Sequence, residues 1–222
     1  MKRILEYLFP KFCVSCKIEG VYLCKNCAED ILEVKSQTCP KCGRLSDSGR
    51  YCLKCRKGKF LKGIICATYF EEGPIKEIIH NFKYNSLQEF SKILGLKMAD
   101  SGIEFTCFDY ITFVPLHRKR LAQRGYNQAQ LLSEEIAKIK HIKCENLLIK
   151  VKHTKRQVGL IGSKRRRNLE SAFRINKEIE IENKKIIIVD DISTTGTTLN
   201  ECARVLREAG AKEIWGLVVA RG

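Results

Sequence analysis

No apolar run in this chain of 222 residues approaches the roughly 20 positions that a membrane-spanning helix needs. The start resembles a secretory leader without its ending. Met1-Lys2-Arg3 leads into Ile4-Leu5-Glu6-Tyr7-Leu8-Phe9, but Glu6 interrupts the apolar stretch, Pro10-Lys11 ends it, and no small-residue cleavage site follows. A short helix or arm on a cytoplasmic protein is the expectation. There is no low-complexity tract, and no internal repeat beyond paired cysteines. Acid is scarce: 25 Asp and Glu stand against 41 Lys and Arg, a formal charge of +16. A phosphate-rich partner is one reading of that excess, and a basic protein that binds no polyanion is the other.

Hydrophobic residues make up 44% of the chain, enough for one domain of ordinary size plus a small module. Eight of the 12 cysteines form four Cys-x-x-Cys pairs: Cys13 with Cys16, Cys24 with Cys27, Cys39 with Cys42, and Cys52 with Cys55. This spacing lets two thiolates reach one tetrahedral metal from a tight knuckle, so four pairs predict two four-cysteine sites. Zinc suits such a structural site better than iron. A redox dithiol needs a pair on a strand–helix turn, which is not the pattern here. Two partitions are open: sequential (13/16/24/27 and 39/42/52/55) or interleaved (13/16/39/42 and 24/27/52/55). Two zinc ions on eight thiolates bring the net charge to roughly +12, so the basic excess survives. The module is either structural or a hold for DNA or a protein; Tyr22 and Tyr51 are too few aromatics to argue for base stacking. Cys66, Cys107, Cys144 and Cys202 stand singly and are expected as buried small hydrophobes.

Composition divides the chain into residues 1–58, with all the paired cysteines, and residues 62–222, where the pattern is α/β. Strands are predicted at Ile64–Phe70, Asp109–Pro115, near Leu147–Val151, at Ile186–Val189 and at Trp215–Ala220. Helices are predicted at Pro74–Phe82, Leu87–Met98, Asn127–Ile139 and Thr198–Ala209, the last stopped by Gly210. Alternating strands and helices argue for an open, mainly parallel sheet flanked by helices, and such sheets bind ligands at the carboxyl ends of their strands.

The most informative segment is Ile186–Leu199. A buried strand delivers Asp190 and Asp191 to its tip, then come Ser193, Thr194, Thr195, Gly196, Thr197 and Thr198, and a helix begins. A helix N-terminus offers unpaired N–H groups and partial positive charge to a phosphate. Gly196 allows close approach of the backbone, and the threonine hydroxyls can donate to phosphate oxygens. The carboxylates would repel that phosphate but can accept from vicinal hydroxyls. A 5-phosphorylated ribose satisfies both halves. A helix merely capped by hydroxyl residues accounts for one Ser or Thr, not for the whole pattern. The Gly-Lys-Ser/Thr ending of a Walker A loop is absent.

This segment resembles the signature of type I phosphoribosyltransferases. The whole chain resembles the ComF family of competence and DNA-utilisation proteins, through Tyr69–Tyr84, Val114-Pro115-Leu116-His117, Arg124-Gly125-Tyr126-Asn127-Gln128, Arg165–Phe173 and the cysteine pairs. The resemblance implies a phosphoribosyltransferase-like domain behind a double zinc ribbon with sequential zinc sites. It implies that Asp190 and Asp191 hold the ribose hydroxyls and that Thr194, Thr195, Gly196, Thr197 and Thr198 hold the 5-phosphate of phosphoribosyl-pyrophosphate, with magnesium. Such enzymes displace pyrophosphate from the anomeric carbon through a cationic sugar, and they need a second loop for the pyrophosphate.

Arg118, Arg120 and Arg124, following the Asp109–Pro115 strand, are the candidates for that loop; a solvated basic turn is the alternative. Lys150–Arg174 holds nine Lys or Arg and one acid, Glu170, with Lys164-Arg165-Arg166-Arg167 its densest part. It resembles the flexible hood that closes over substrate in phosphoribosyltransferases. Nucleic-acid binding and a solvated charge run are the other readings. ComF-like chains usually carry a proline before the position of Gln157, where this chain has Arg156.

Two functions follow. One is a phosphoribosyltransferase of unknown acceptor in DNA uptake. The other is a non-catalytic accessory that binds single-stranded DNA and uses the domain as sensor or scaffold. The expected partners are phosphoribosyl-pyrophosphate, single-stranded DNA, and DNA-uptake proteins such as a helicase or a recombination mediator. Glutamine-dependent amide transfer is not expected: residue 2 is Lys rather than a cysteine nucleophile, and no glutaminase domain precedes the cradle.

Overall fold

The computed structural model describes residues 10–70, 73–152, 171–176 and 178–222. The expected N-terminal arm and the dense run Lys164–Arg167 lie outside the described residues. In chain order the elements are α1 (Lys25–Glu29), β1 (Ile64–Tyr69), α2 (Ile75–Tyr84), α3 (Phe90–Ala99), β2 (Tyr110–Phe113), α4 (Arg118–Arg124), α5 (Gln128–Lys140) and β3 (Lys143–Cys144). Then follow β4 (Leu148–Lys150), β5 (Phe173–Ile175), β6 (Lys185–Ser193), α6 (Thr197–Glu208) and β7 (Glu213–Arg221).

The main sheet has the order β1-β7-β6-β2-β3, and every pairing in it is parallel. Ile186 and Ile188 face one hydrophobic cluster while Ile187 and Val189 face the other. Both faces of β6 are therefore covered, which is why the strand is a continuous apolar run rather than an alternating one. The cluster on one face takes Ile75, Ile78, Ile79 and Phe82 of α2. The other takes Leu199, Cys202 and Leu206 of α6. In both helices the buried residues recur at the 3.6-residue period, so these are the faces that dock. No helix among the described residues is long and apolar enough to cross a membrane.

Three details differ from expectation. The strand at Leu148–Lys150 is not in the main sheet; it pairs antiparallel with Phe173–Ile175 as a separate two-stranded piece. Cys107 is exposed, because it ends a short 3-10 turn whose Phe105 turns inward instead. The basic stretch after β2 is a helix, α4, not a loop.

The cysteine-rich module lies against the β1 edge of the sheet. Gln37 bonds both the N–H and the carbonyl of Cys66, at 3.0 and 2.8 Å, and Val34 N–H donates to the Ala67 carbonyl at 2.9 Å. An edge strand with open backbone groups is covered in this way. The approach is backbone to backbone: a Cβ on Gly63 would lie 2.4 Å from the Gly49 carbonyl oxygen. Arg50 also stacks on Trp215 of β7, 4.9 Å from the ring centroid.

Candidate functional site

Phe113 of β2 pairs with Val189 of β6, so Val114-Pro115 and Asp190-Asp191 emerge side by side at the carboxyl ends of adjacent strands. From this point the chain leaves β2 toward β3 on one side and leaves β6 toward β7 on the other. Such a switch point opens a crevice between the two connections. A cleft of about 430 Å³ lies there, and its lining includes Asp190, Asp191, Lys83, Arg120, Arg124 and Lys150. A smaller lobe of about 200 Å³ adjoins it, bounded by Lys83 and by residues 190–199. The two aspartates and the threonine turn therefore share one space.

The carboxylates are held by their own backbone. Asp191 N–H donates to Asp190 Oδ1 at 2.9 Å, and Ile192 N–H donates to Asp191 Oδ1 at 2.6 Å. Lys83 Nζ sits 3.1 Å from Asp191 Oδ2. Burial pushes the Asp190 carboxyl up to about 7, with the Asp191 charge adding to it and Lys83 opposing. Such a displaced carboxyl in a cleft marks a candidate functional group. In the turn, the Thr195 and Thr197 hydroxyls share a hydrogen bond of 2.6 Å. Gly196 takes φ +69° at the N-terminus of α6, and no side chain caps that end. The left-handed conformation is costly for residues with a Cβ, which accounts for glycine here.

Because the stretch after β2 is helical, its three arginines do not act together. Positions 120 and 124 are one turn apart and share a face, while 118 is rotated about 200° from 120. Arg120 and Arg124 line the cleft. Arg118 is exposed at the start of α4, away from it. His117 is the N-cap: its Nδ1 accepts from Lys119 N–H at 3.3 Å. Arg124 is aimed by Gln128, whose Oε1 accepts from it at 2.9 Å, and it stacks on Tyr84 at 5.3 Å. The rest of Arg-Gly-Tyr-Asn-Gln is a brace. The Tyr126 hydroxyl and Gln128 Nε2 both donate to the Phe82 carbonyl, and Asn127 Nδ2 donates to the Val114 carbonyl at 3.1 Å. This stretch ties the end of α2, which carries Lys83, to the tip of β2.

Sequence reasoning missed Lys83 and Lys150 as site residues. Lys83 follows directly on the buried stripe of α2, a cation beside a core position, and that was the available signal. Lys150 opens the basic stretch that resembles the hood, and it lies on β4, paired with Phe173 of β5, at the cleft. Burial there, with Arg120 nearby, holds its ammonium below the ordinary lysine range.

The paired cysteines form two groups, Cys13/Cys16/Cys24/Cys27 and Cys39/Cys42/Cys52/Cys55, with the sulfurs of each within 4.8 Å of one another. The sequential partition is therefore the one adopted. Cys16 and Cys24 sulfurs are 3.6 Å apart, and Cys42 and Cys52 sulfurs 3.8 Å. A tetrahedron with zinc–sulfur bonds of about 2.3 Å has edges of about 3.8 Å. Backbone N–H groups of Cys24 and Cys52 also reach the sulfurs of Cys13 and Cys39, both at 3.5 Å. Both clusters fit zinc by donor type, number and spacing.

Residues 121–222 match the phosphoribosyl transferase domain family, and residues 4–56 match the double zinc ribbon domain. The molecule is thus a phosphoribosyltransferase-domain protein that carries a double zinc ribbon at its N-terminal side. It is 33% identical over 224 residues to Competence protein F of Haemophilus influenzae, covering 94% of this chain and 96% of that one. It is 29% identical to DNA utilization protein YhgH of Escherichia coli (strain K12), with 94% and 96% coverage. It is 27% identical to Competence protein ComFC of Streptococcus pneumoniae, with 86% and 84% coverage. The chain belongs to this ComF family of competence and DNA-utilisation proteins.

Proposed function

We propose that the cleft binds phosphoribosyl-pyrophosphate with magnesium, and that the protein serves in DNA uptake. The observation that carries the reading is the union in one space of a carboxylate pair and an uncapped helix start behind a threonine turn, with Arg120, Arg124 and Lys150 on the other side. Asp190 and Asp191 accept from the ribose hydroxyls, and the N–H groups and hydroxyls of Thr194–Thr198 take the 5-phosphate. The cations of α4 and β4 take the pyrophosphate. Magnesium, bound with the ligand beside Asp190 and Asp191, would neutralise pyrophosphate charge and so ease its departure from the sugar. If the domain is catalytic, the acceptor enters through the mouth beside Tyr84 and Arg124. Calorimetry with phosphoribosyl-pyrophosphate and magnesium tests the reading: wild type gives binding heat, and the Asp190→Ala, Asp191→Ala double variant does not. Equal heats from both would sink it.

A second reading, that the protein holds single-stranded DNA, is favoured by one surface. A cleft of about 820 Å³ lies where the second ribbon meets the start of β7, with Arg50, Arg56, Lys57, Lys62 and Lys212 against Asp47 and Glu213. Phe60, 40% exposed, stands at its side. Spaced cations beside an aromatic suit a flexible polyanion with bases to stack. The names of the curated relatives, competence and DNA utilization, agree with such a partner. Fluorescence anisotropy with labelled oligo-dT decides where it binds. Neutralising Arg56, Lys57, Lys62 and Lys212 abolishes salt-dependent binding if the surface is this cleft. Loss only on neutralising Lys164–Arg167 assigns it to that stretch instead.

A further inference from the structure

Among the described residues, two buried side-chain polar atoms have no hydrogen-bond partner, Tyr51 Oη and Ser193 Oγ. Both lie behind the same glycine. A Cβ built on Gly196 would be 3.2 Å from Tyr51 Oη and 3.9 Å from Ser193 Oγ, with Ile64 Cδ1 at 2.8 Å. Gly196 is the turn from which α6 starts. The hydroxyl of a ribbon residue therefore supports the back of the threonine turn, while the front of that turn faces the ligand lobe.

Tyr51 is firmly tied to the second metal site. It precedes Cys52, whose N–H reaches Cys39 Sγ at 3.5 Å. Its own N–H donates to the Lys62 carbonyl at 3.0 Å, and Lys59 covers its ring at 5.3 Å. Tyr51 is 6% exposed and shares a cluster with Cys39, Cys55, Ile64 and Leu199. A short chain of packed groups thus runs from the second zinc site through Tyr51 to Gly196. Leaving a buried hydroxyl unpaired is costly, and two lie so at one point. Phenylalanine and alanine at these positions would avoid the cost. Two unpaired hydroxyls behind one turn are placed to pair with each other, or with a shared water, when that turn moves.

We propose that Tyr51 is a positioning residue that couples the second zinc ribbon to the phosphate turn. When a sugar phosphate fills the lobe, the turn tightens and the two hydroxyls pair behind Gly196, directly or through one water. The ribbon then holds the turn in its binding shape. Linkage makes the effect reciprocal: an occupied lobe must raise the affinity of Cys39/Cys42/Cys52/Cys55 for zinc to the extent that zinc loss weakens the ligand, and slower release of zinc to a competitor is its readout. This inference rests on the ribose-phosphate reading of the cleft.

The test uses the full chain with both zinc ions and ribose 5-phosphate as probe. Zinc transfer to a chromogenic chelator is followed with and without the probe, and the Cys16→Ser variant identifies the phase of the first site. The expected result is that saturating ribose 5-phosphate slows the second-site phase about fivefold or more and leaves the first-site phase unchanged. Tyr51→Phe keeps the ring, the fold and both zinc ions but loses the slowing, and its calorimetric affinity for the probe falls about fivefold. Binding heat in wild type with no change in either zinc phase overturns the coupling and leaves the cleft reading standing. Slowing that persists undiminished in Tyr51→Phe overturns the role of the hydroxyl. Absence of binding heat overturns both the cleft reading and the coupling.

Discussion

The raised Asp190 carboxyl makes ligand binding depend on pH in a defined direction. Its midpoint lies at about 7, set first by burial and then by the Asp191 charge. Ribose hydroxyls donate to a carboxylate better than to a carboxylic acid, so the ligand selects the ionised form. With that midpoint, about 10% of the group is ionised at pH 6 and about 90% at pH 8. Apparent affinity scales with the competent fraction, so ribose 5-phosphate should bind about ninefold more tightly at pH 8 than at pH 6 on this account. The ligand's own phosphate, with a second pKa of about 6, also titrates in this range. Calorimetry on Asp190→Asn removes that ambiguity, because the phosphate contribution is common to both proteins and the ninefold term is not. Lys83, whose Nζ sits 3.1 Å from Asp191 Oδ2, opposes the shift of Asp190. Lys83→Met should therefore move the wild-type profile to higher pH. Stability runs the opposite way to binding. The folded value is raised above the unfolded value of about 3.9, so the unfolded chain ionises first. Stability from this group falls as pH rises from about 4 to 7, and Asp190→Asn should be more stable than wild type at pH 8 and equal to it near pH 4. Superimposable binding profiles for wild type and Asp190→Asn between pH 6 and 8 would refute the reasoning.

Two further outcomes follow from the geometry. Gly196→Ala should destabilise the protein by about 1–2 kcal/mol in chemical denaturation from the left-handed backbone alone, and the contact of 2.8 Å with Ile64 Cδ1 adds to that; an unchanged midpoint would show that the turn is not as tightly held as described. Arg120→Ala should weaken pyrophosphate binding about tenfold by calorimetry, whereas Arg118→Ala should leave it within about twofold; equal losses would contradict the helical phasing of α4.

Much of the fold was legible in the chain because it is written in short-range patterns. The run Ile186–Val189 is apolar at every position since both faces of β6 are covered, and the stripe Leu199, Cys202, Leu206 marks the docking face of α6. The cysteine spacing announced two four-cysteine metal sites, and the Asp-Asp and Thr-Thr-Gly-Thr-Thr pattern placed carboxylates and hydroxyls at one strand tip. These features depend on neighbours within a few residues, so local sequence suffices to specify them.

What the chain alone left open depended on contacts between distant segments. Both cysteine partitions satisfied the spacing; only the folded positions of the sulfurs selected the sequential one. Arg118, Arg120 and Arg124 looked equivalent as a basic loop until α4 turned one of them away. Lys83 and Lys150 reach Asp190 and Asp191 from elements remote in the chain. Tyr51, dismissed in the sequence as one aromatic among too few, is brought behind Gly196 by the docking of a ribbon on the β1 edge. Periodicity and motif determined which surfaces would be buried and which chemistry would sit at the tip of β6. The tertiary structure decided which cations share that tip and which residue supports it, because side-chain proximity across 100 residues has no local signature in the chain.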